Sequence, residues 1–380
     1  MRYFLIAGEA SGDLHGSNLI KGLLAEDPEA ECRCRGGELM EAAGATLVQH
    51  YRDGAVMLLD VLFKAGKILR NLRDCKRDIA AWQPDVVILI DYPGFNMKIA
   101  KWCHQRGIRV FYYIAPKTWA SRAGRNRKLK AWVDRLFIVF PFEVPYFTEQ
   151  GIPFTYKGNP LLDAVDGHEF VRPVEGRYIA LLAGSRKDEI RRMMPRMMQT
   201  ADLLAARPGW EEVRFVVAGA PARSEADYAP YIAGRKNVDL LFGRTYDILR
   251  FADAAVVNSG TASLEAALIG TPQVVVWSTA FLVAWVLDKV HFLDRIRFIS
   301  LGNLCLGREA FRELLQWFFT PESASAEVIR LVEDAPYREK MLADYAEIRA
   351  SLGGAGASRA VARAMMEEIR KGVDFHEKKR

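Results

Sequence analysis

Four short stretches place carboxylates, amides or cations beside small residues, each directly after an apolar run. The first is Gly8-Glu9-Ala10-Ser11-Gly12-Asp13, which follows Tyr3–Ala7. Its two glycines allow close backbone approach, and the amides that open the next helix can hold an anion. The spacing is not the GxGxxG of dinucleotide binders, and two carboxylates would repel a pyrophosphate. Two readings stay open here. Asp13 caps a helix in an ordinary turn, or Glu9 and Asp13 point into a cleft on the side of an acceptor. The second stretch, Asp91-Tyr92-Pro93-Gly94-Phe95-Asn96, follows the run Asp85–Ile90. A carboxylate at the rim of a largely apolar site is desolvated, which raises its pKa and suits general-base work. It could equally cap the helix that Pro93 and Gly94 begin.

The third stretch is Ala183-Gly184-Ser185-Arg186. A Gly-Ser turn followed by Arg suits a phosphate, because amides bind its oxygens while the guanidinium adds paired, charge-assisted bonds. The fourth is Asn258-Ser259-Gly260-Thr261, set between the run Ala254–Val257 and a helix over Ala262–Ile269 that Gly270-Thr271-Pro272 ends. A helix opening on Ser-Gly-Thr presents unpaired amides and a partial positive charge to a pyrophosphate. Glu265 lies about one turn in. It could accept bonds from ribose hydroxyls, or simply interact with the helix dipole for up to about 1 kcal/mol.

Residues of this kind need strands to carry them. Continuous apolar runs such as Tyr3–Ala7 and Asp85–Ile90 fit a parallel sheet buried on both faces, and helical stripes such as Leu19, Ile20, Leu23 and Leu24 lie between them. Ile108–Ile114 and Leu136–Phe140 continue the first series. A second series runs through Tyr178–Leu182, Val213–Ala218, Val238–Phe242, Ala254–Val257 and Gln273–Trp277. The alternation predicts an α/β fold of two Rossmann-like halves, divided near residues 158–177. In such sheets ligands bind at the carboxyl ends of the strands, where all four stretches fall.

Composition bounds the rest. The apolar share of 50% and charged share of 26% are those of a globular chain, and 380 residues suit two cores. The net charge of +6 suggests an acidic partner. Five cysteines without a CxxC pair argue against a disulfide framework, and scattered histidines argue against a structural metal. The N-terminus reads as a buried strand instead of a signal peptide, and no stretch approaches the roughly 20 apolar residues of a membrane span. A cytoplasmic location is expected. Val61–Arg77 and Phe281–Phe298 mix cations with apolar residues, which suits an anionic membrane interface or a helix packed on its sheet. Ser121–Lys130 holds five cations without the aromatic interleaving of nucleic-acid binders, so no nucleic-acid partner is expected.

Taken in order, GEASGD (8–13), IDYPGFN (90–96), YIAPKTWA (113–120), PFE (141–143), GNPLLD (158–163), LLAGSRKDEI (181–190), SGTASLEAAL (259–268) and SLGNLCLGRE (300–309) resemble lipid-A-disaccharide synthases over nearly the whole chain. The resemblance implies the GT-B fold, two Rossmann-like domains facing a central cleft. Residues 1–165 would bind the acceptor and 166–350 the UDP-sugar. The helix and tail in 351–380 would pack back on the first domain or be exchanged in a homodimer. It implies an inverting transfer of 2,3-diacylglucosamine from its UDP carrier to the 6-hydroxyl of 2,3-diacylglucosamine 1-phosphate. The enzyme would work peripherally at the cytoplasmic face of the inner membrane, without cofactor or metal. On the same ground Asp91 is the base, with Glu9 and Asp13 nearby. Gly184, Ser185, Arg186, Ser259, Gly260, Thr261, Glu265 and Asn303 fall to the UDP-sugar, and Ser11, Asn96 and Trp119 to the acceptor. Gly94, Ser121, Asn159, Ala183 and Gly302 depart from the family pattern. The nearest competing readings are a UDP-sugar epimerase and a different lipid glycosyltransferase; a nicotinamide enzyme would need the GxGxxG turn that GEASGD lacks.

Overall fold

The structure, a computed structural model, describes residues 1–54, 61–118, 124–280 and 297–371. It divides into two compact units, one of residues 1–164 with 352–380 and one of residues 165–351.

Unit 1 is built on seven strands: β1 (Arg2–Ala7), β2 (Glu31–Gly36), β3 (Thr46–His50), β4 (Val86–Ile90), β5 (Val110–Tyr113), β6 (Arg135–Ile138) and β7 (Phe154–Tyr156). All pairs are parallel, in the order β3-β2-β1-β4-β5-β6-β7. β1 and β4 are buried along almost their whole length, as expected for central strands covered on both faces. The helices between strands are α1 (Ala10–Glu26), α2 (Glu38–Ala42), α3 (Tyr51–Gly54), α4 (Val61–Trp82), α5 (Pro93–His104), α6 (Arg125–Trp132) and α7 (Glu143–Glu149), followed by α8 (Pro160–Asp166). β2, β3 and β7 are absent from the sequence reading. Glu31-Cys-Arg-Cys-Arg-Gly36 interleaves cations with cysteines, and only tertiary burial makes it a strand.

Unit 2 repeats the plan with β8 (Tyr178–Leu182), β9 (Arg214–Gly219), β10 (Val238–Phe242), β11 (Ala254–Asn258), β12 (Gln273–Trp277) and β13 (Glu313–Leu315). The order is β10-β9-β8-β11-β12-β13, again all parallel. Its helices are α9 (Lys187–Ala205), α10 (Ala229–Ile232), α11 (Thr245–Phe251), α12 (Thr261–Ile269), α13 (Leu301–Leu306), α14 (Pro321–Glu333) and α15 (Ala335–Ser351).

The chain then returns to unit 1. The terminal helix α16 (Ala357–Arg370) packs on α1 of the same chain. Gly22 lets them close, since a Cβ there would lie 3.1 Å from Arg359 Cα and Ser358 O. Arg359 and Arg363 both bond Glu26, Arg135 pairs with Glu368 at 2.7 Å, and Asp163 accepts from the amides of Gly356 and Ser358. Among the described residues, no helix is long and apolar enough to cross a membrane.

Candidate active site

In each sheet the chain winds outward in both directions from a central pair, β1/β4 in unit 1 and β8/β11 in unit 2. These are topological switch points, where the loops at the carboxyl ends part and leave a crevice. Gly8–Asp13 and Asp91–Asn96 flank the first; Gly184–Arg186 and Ser259–Thr261 flank the second.

At the end of β4 the backbone is strained. Asp91 and Tyr92 have φ of 43° and 46°. The left-handed region costs an L-residue roughly 1–2 kcal/mol, and here two non-glycine residues adopt it in succession. Surrounding bonds impose it. Asp91 O accepts from the Tyr112 hydroxyl at 2.6 Å and from Asn96 Nδ2 at 2.8 Å, while Asp91 N donates to Tyr113 O. The Tyr92 ring lies over Gly8, where a Cβ would stand only 2.3 Å from Tyr92 Cγ, and stacks on Phe95 at 5.7 Å. The turn therefore needs glycine at position 8.

Glu9 is exposed at the start of α1, Ser11 is half-buried, and both border a small recess with Asp91 and Tyr92. Asp13 is a helix cap, but of α2 and not of the helix it lies in: it is 2% exposed, and its carboxylate accepts from the amides of Gly37 (2.8 Å), Leu39 (3.1 Å) and Met40 (3.1 Å), which corrects the reading that it faces a cleft. Asn96 is a second correction. Fully buried, it donates to Ile6 O, Ile90 O and Asp91 O, so it ties β1 to β4 and holds the strained turn instead of meeting an acceptor. Asn159 is likewise internal, bridging Val139 O and Leu161 N. Trp119 and Ser121 lie outside the described residues.

Beside the recess opens a cavity of about 280 Å³. Ile6, Ala7, Ile68, Tyr92 and Phe95 give it apolar walls; Arg35, Gln49, His50, Asn71 and Lys98 give it polar ones. Sequence reasoning missed Arg35, Gln49 and His50 because β2 and β3 were not recognised; Asn71 and Lys98 come from α4 and α5. Arg35 is almost wholly buried, bonding Asn71 O at 2.9 Å and Gln49 Oε1, while its Nε has no hydrogen-bond partner.

In unit 2, Gly184 has φ of 104°, and a side chain there would collide with Glu189 and Asn258. Glu189 Oε2 accepts from the Ser185 and Arg186 amides at 3.0 and 3.1 Å, and Oε1 meets Arg186 Nη1 at 3.1 Å. The amides expected to receive phosphate are thus taken by an internal carboxylate. The Arg186 side chain remains 65% exposed. At the end of β11, Gly260 is extended and α12 begins at Thr261 without a side-chain cap, so no side chain at the cap position offsets the positive end of its dipole. One turn further, Glu265 accepts from the Tyr246 hydroxyl at 3.1 Å, and burial pushes its carboxyl up to about 7. Asn303 is a third correction. It is fully buried and its amide is spent on Phe311 O, Glu313 Oε1 and Ala310 N, which closes the β13 end of the sheet. No cluster of His, Cys, Asp and Glu able to hold a metal occurs among the described residues.

Two doubly wound units, each with its own switch point, define the GT-B class, and solved structures share the fold. A UDP co-structure of Staphylococcus aureus MnaA aligns with a TM-score of 0.71 at 12% identity, covering 97% of each chain. A putative UDP-N-acetylglucosamine 2-epimerase from Listeria monocytogenes gives 0.70 at 14% identity, covering 98% of this chain and 97% of that one. The model of the family described as lipid-A-disaccharide synthetase matches residues 3–366. Curated lipid-A-disaccharide synthases are similar at 38% identity in Geobacter metallireducens (97% of this chain, 98% of the relative) and 37% in Myxococcus xanthus (96% and 97%). The chain belongs to the lipid-A-disaccharide synthase family, glycosyltransferases of lipid A biosynthesis.

Proposed function

We propose that unit 2 holds UDP-2,3-diacylglucosamine, that unit 1 holds 2,3-diacylglucosamine 1-phosphate, and that Asp91 is the base that joins them. The observation that carries this reading is the left-handed Asp91–Tyr92 turn, sited at a switch point and held by Tyr112, Asn96 and Gly8. Strain of that kind persists where a side chain must be aimed.

The Asp91 carboxylate takes the proton of the acceptor 6-hydroxyl as its oxygen attacks the anomeric carbon. The bond from that carbon to the diphosphate breaks on the opposite face, so the configuration inverts and UDP leaves with the electron pair. Negative charge grows on the diphosphate, and the α12 N-terminus and the exposed Arg186 guanidinium are suited to stabilise it. Glu265 receives the ribose hydroxyls. An acceptor with acyl chains and one phosphate needs both apolar and cationic walls, and the cavity beside Tyr92 offers both through Ile68, Phe95 and Lys98.

The acylated substrates call for a membrane surface. α4 supports this: Ile68 and Leu69 are 39% and 58% exposed beside the exposed Arg70, Arg73 and Arg77. The stretch 281–296 lies outside the described residues. Flotation with anionic vesicles should retain the protein at low salt and lose it at high salt; no retention at low salt would remove the membrane role.

The activity is tested by mass spectrometry of the products from the full chain, the UDP-diacylglucosamine and the diacylglucosamine 1-phosphate. One disaccharide phosphate should form for each UDP released. Release of UDP without disaccharide, or no reaction, would overturn the assignment.

A further inference from the structure

Glu265 is held in place by residues that no motif identified. Tyr246, on α11, donates its hydroxyl to Glu265 Oε1 at 3.1 Å. The His168 ring packs edge-on against the Tyr246 ring, centroids 5.3 Å apart at 74°. His168 Nε2 stands 2.9 Å from Asp247 Oδ1. Asp247 is buried and also accepts from Val171 N at 3.0 Å and Arg244 Nε at 2.5 Å, so the chain of contacts ends on fixed backbone. The residues come from three places: the segment before β8, α11 and α12.

A glutamate on a helix has three rotatable bonds, and freezing them at the moment of binding costs affinity. One donor fixed on Oε1 removes that cost and leaves Oε2 to accept from outside. A carboxylate already held in one orientation meets two vicinal hydroxyls without further ordering, and a sugar that lacks one of them leaves the half-buried acceptor short of a donor. We infer that Tyr246 is the positioning residue for Glu265 and, through it, sets the preference of the site for a ribonucleotide over a 2′-deoxyribonucleotide. This rests on the reading that Glu265 receives the ribose.

The test is calorimetric binding of UDP and 2′-deoxy-UDP to the full-length wild type, Tyr246→Phe and Glu265→Gln. The ratio of the two dissociation constants is the readout, because it is taken on one protein at a time and a general loss of folding does not move it. The wild type should prefer UDP by about tenfold or more. Tyr246→Phe keeps the ring on His168 and loses only the hydroxyl; it should reduce the ratio about threefold or more, roughly the worth of one hydrogen bond. Glu265→Gln should bring the ratio near one. A wild-type ratio in Tyr246→Phe with loss in Glu265→Gln would overturn the positioning role and leave the ribose reading standing. A wild-type ratio in Glu265→Gln would overturn the ribose reading and the inference with it.

Discussion

The turns that leave β4 and β11 do the same topological work by opposite means. After β4 the chain runs through Asp91 and Tyr92, both left-handed, both with full side chains. After β11 it runs through Ser259 and Gly260, small residues with no left-handed strain, straight into α12. The difference follows from what each turn offers. A site made of backbone amides and a helix dipole needs side chains out of the way. On the reading proposed above, the site after β4 is made of one carboxylate, and it needs the backbone bent to aim it and neighbours to hold the bend. Tyr112, Asn96 and Gly8 are those neighbours.

The largest effect is expected at Gly8. Gly8→Val drives a side chain into the Tyr92 ring, and the turn must move. Turnover should fall about a hundredfold or more, with roughly 1–3 kcal/mol of stability lost from overpacking; activity assay and denaturant unfolding measure both. A Cβ at Gly260 in the β11 turn would meet open space, so a side chain there should spare the fold and show its cost in UDP affinity. Arg186→Ala sharpens that side: UDP should bind about tenfold to a hundredfold more weakly, the worth of a charge-assisted bond. Unchanged binding in calorimetry would move the diphosphate elsewhere.

A smaller effect is pH dependence. Burial holds the Glu265 carboxyl up to about 7. As pH falls through that value the carboxylate takes a proton and can no longer accept from both ribose hydroxyls, so UDP affinity should fall a few-fold. UDP titrates in the same region, and Glu265→Gln supplies the baseline that removes the carboxylate's part. Stability of the ligand-free protein should move the other way. Between the ordinary carboxyl range and about 7 the folded state holds a proton that the unfolded state releases, so the Glu265 contribution to stability declines as pH rises. Thermal unfolding of the two proteins across pH 5 to about 8 reads that difference.

Much of this fold was legible because its central strands are unbroken apolar runs. β4 and β11, the two that carry the turns, were the plainest. β2 and β3 were not, since a strand written with Arg33, Arg35 and two cysteines resembles a surface loop until its neighbours bury it. The cavity residues Arg35, Gln49 and His50 were lost with those strands. Asp13, Asn96 and Asn303 taught a different lesson. A polar residue near a strand end can face the ligand or brace the loop that does, and local sequence is the same for both. What decides is a partner on another element or loop: Gly37 for Asp13, Ile6 for Asn96, Phe311 and Glu313 for Asn303. Tyr246 had no signal at all, being one aromatic in a short amphipathic helix.

The central claim is that the strain at Asp91 is kept for its carboxylate, and Asp91→Asn tests it most directly. Asparagine has the same shape and tolerates the left-handed region as well as any residue but glycine, while it takes up no proton at neutral pH. Turnover and unfolding should be measured on the same preparation. The account predicts a fall in turnover of about a hundredfold to ten-thousandfold with stability equal to or above the wild type. Turnover near wild type together with a loss of about 1 kcal/mol or more would make Asp91 a helix cap and contradict the account.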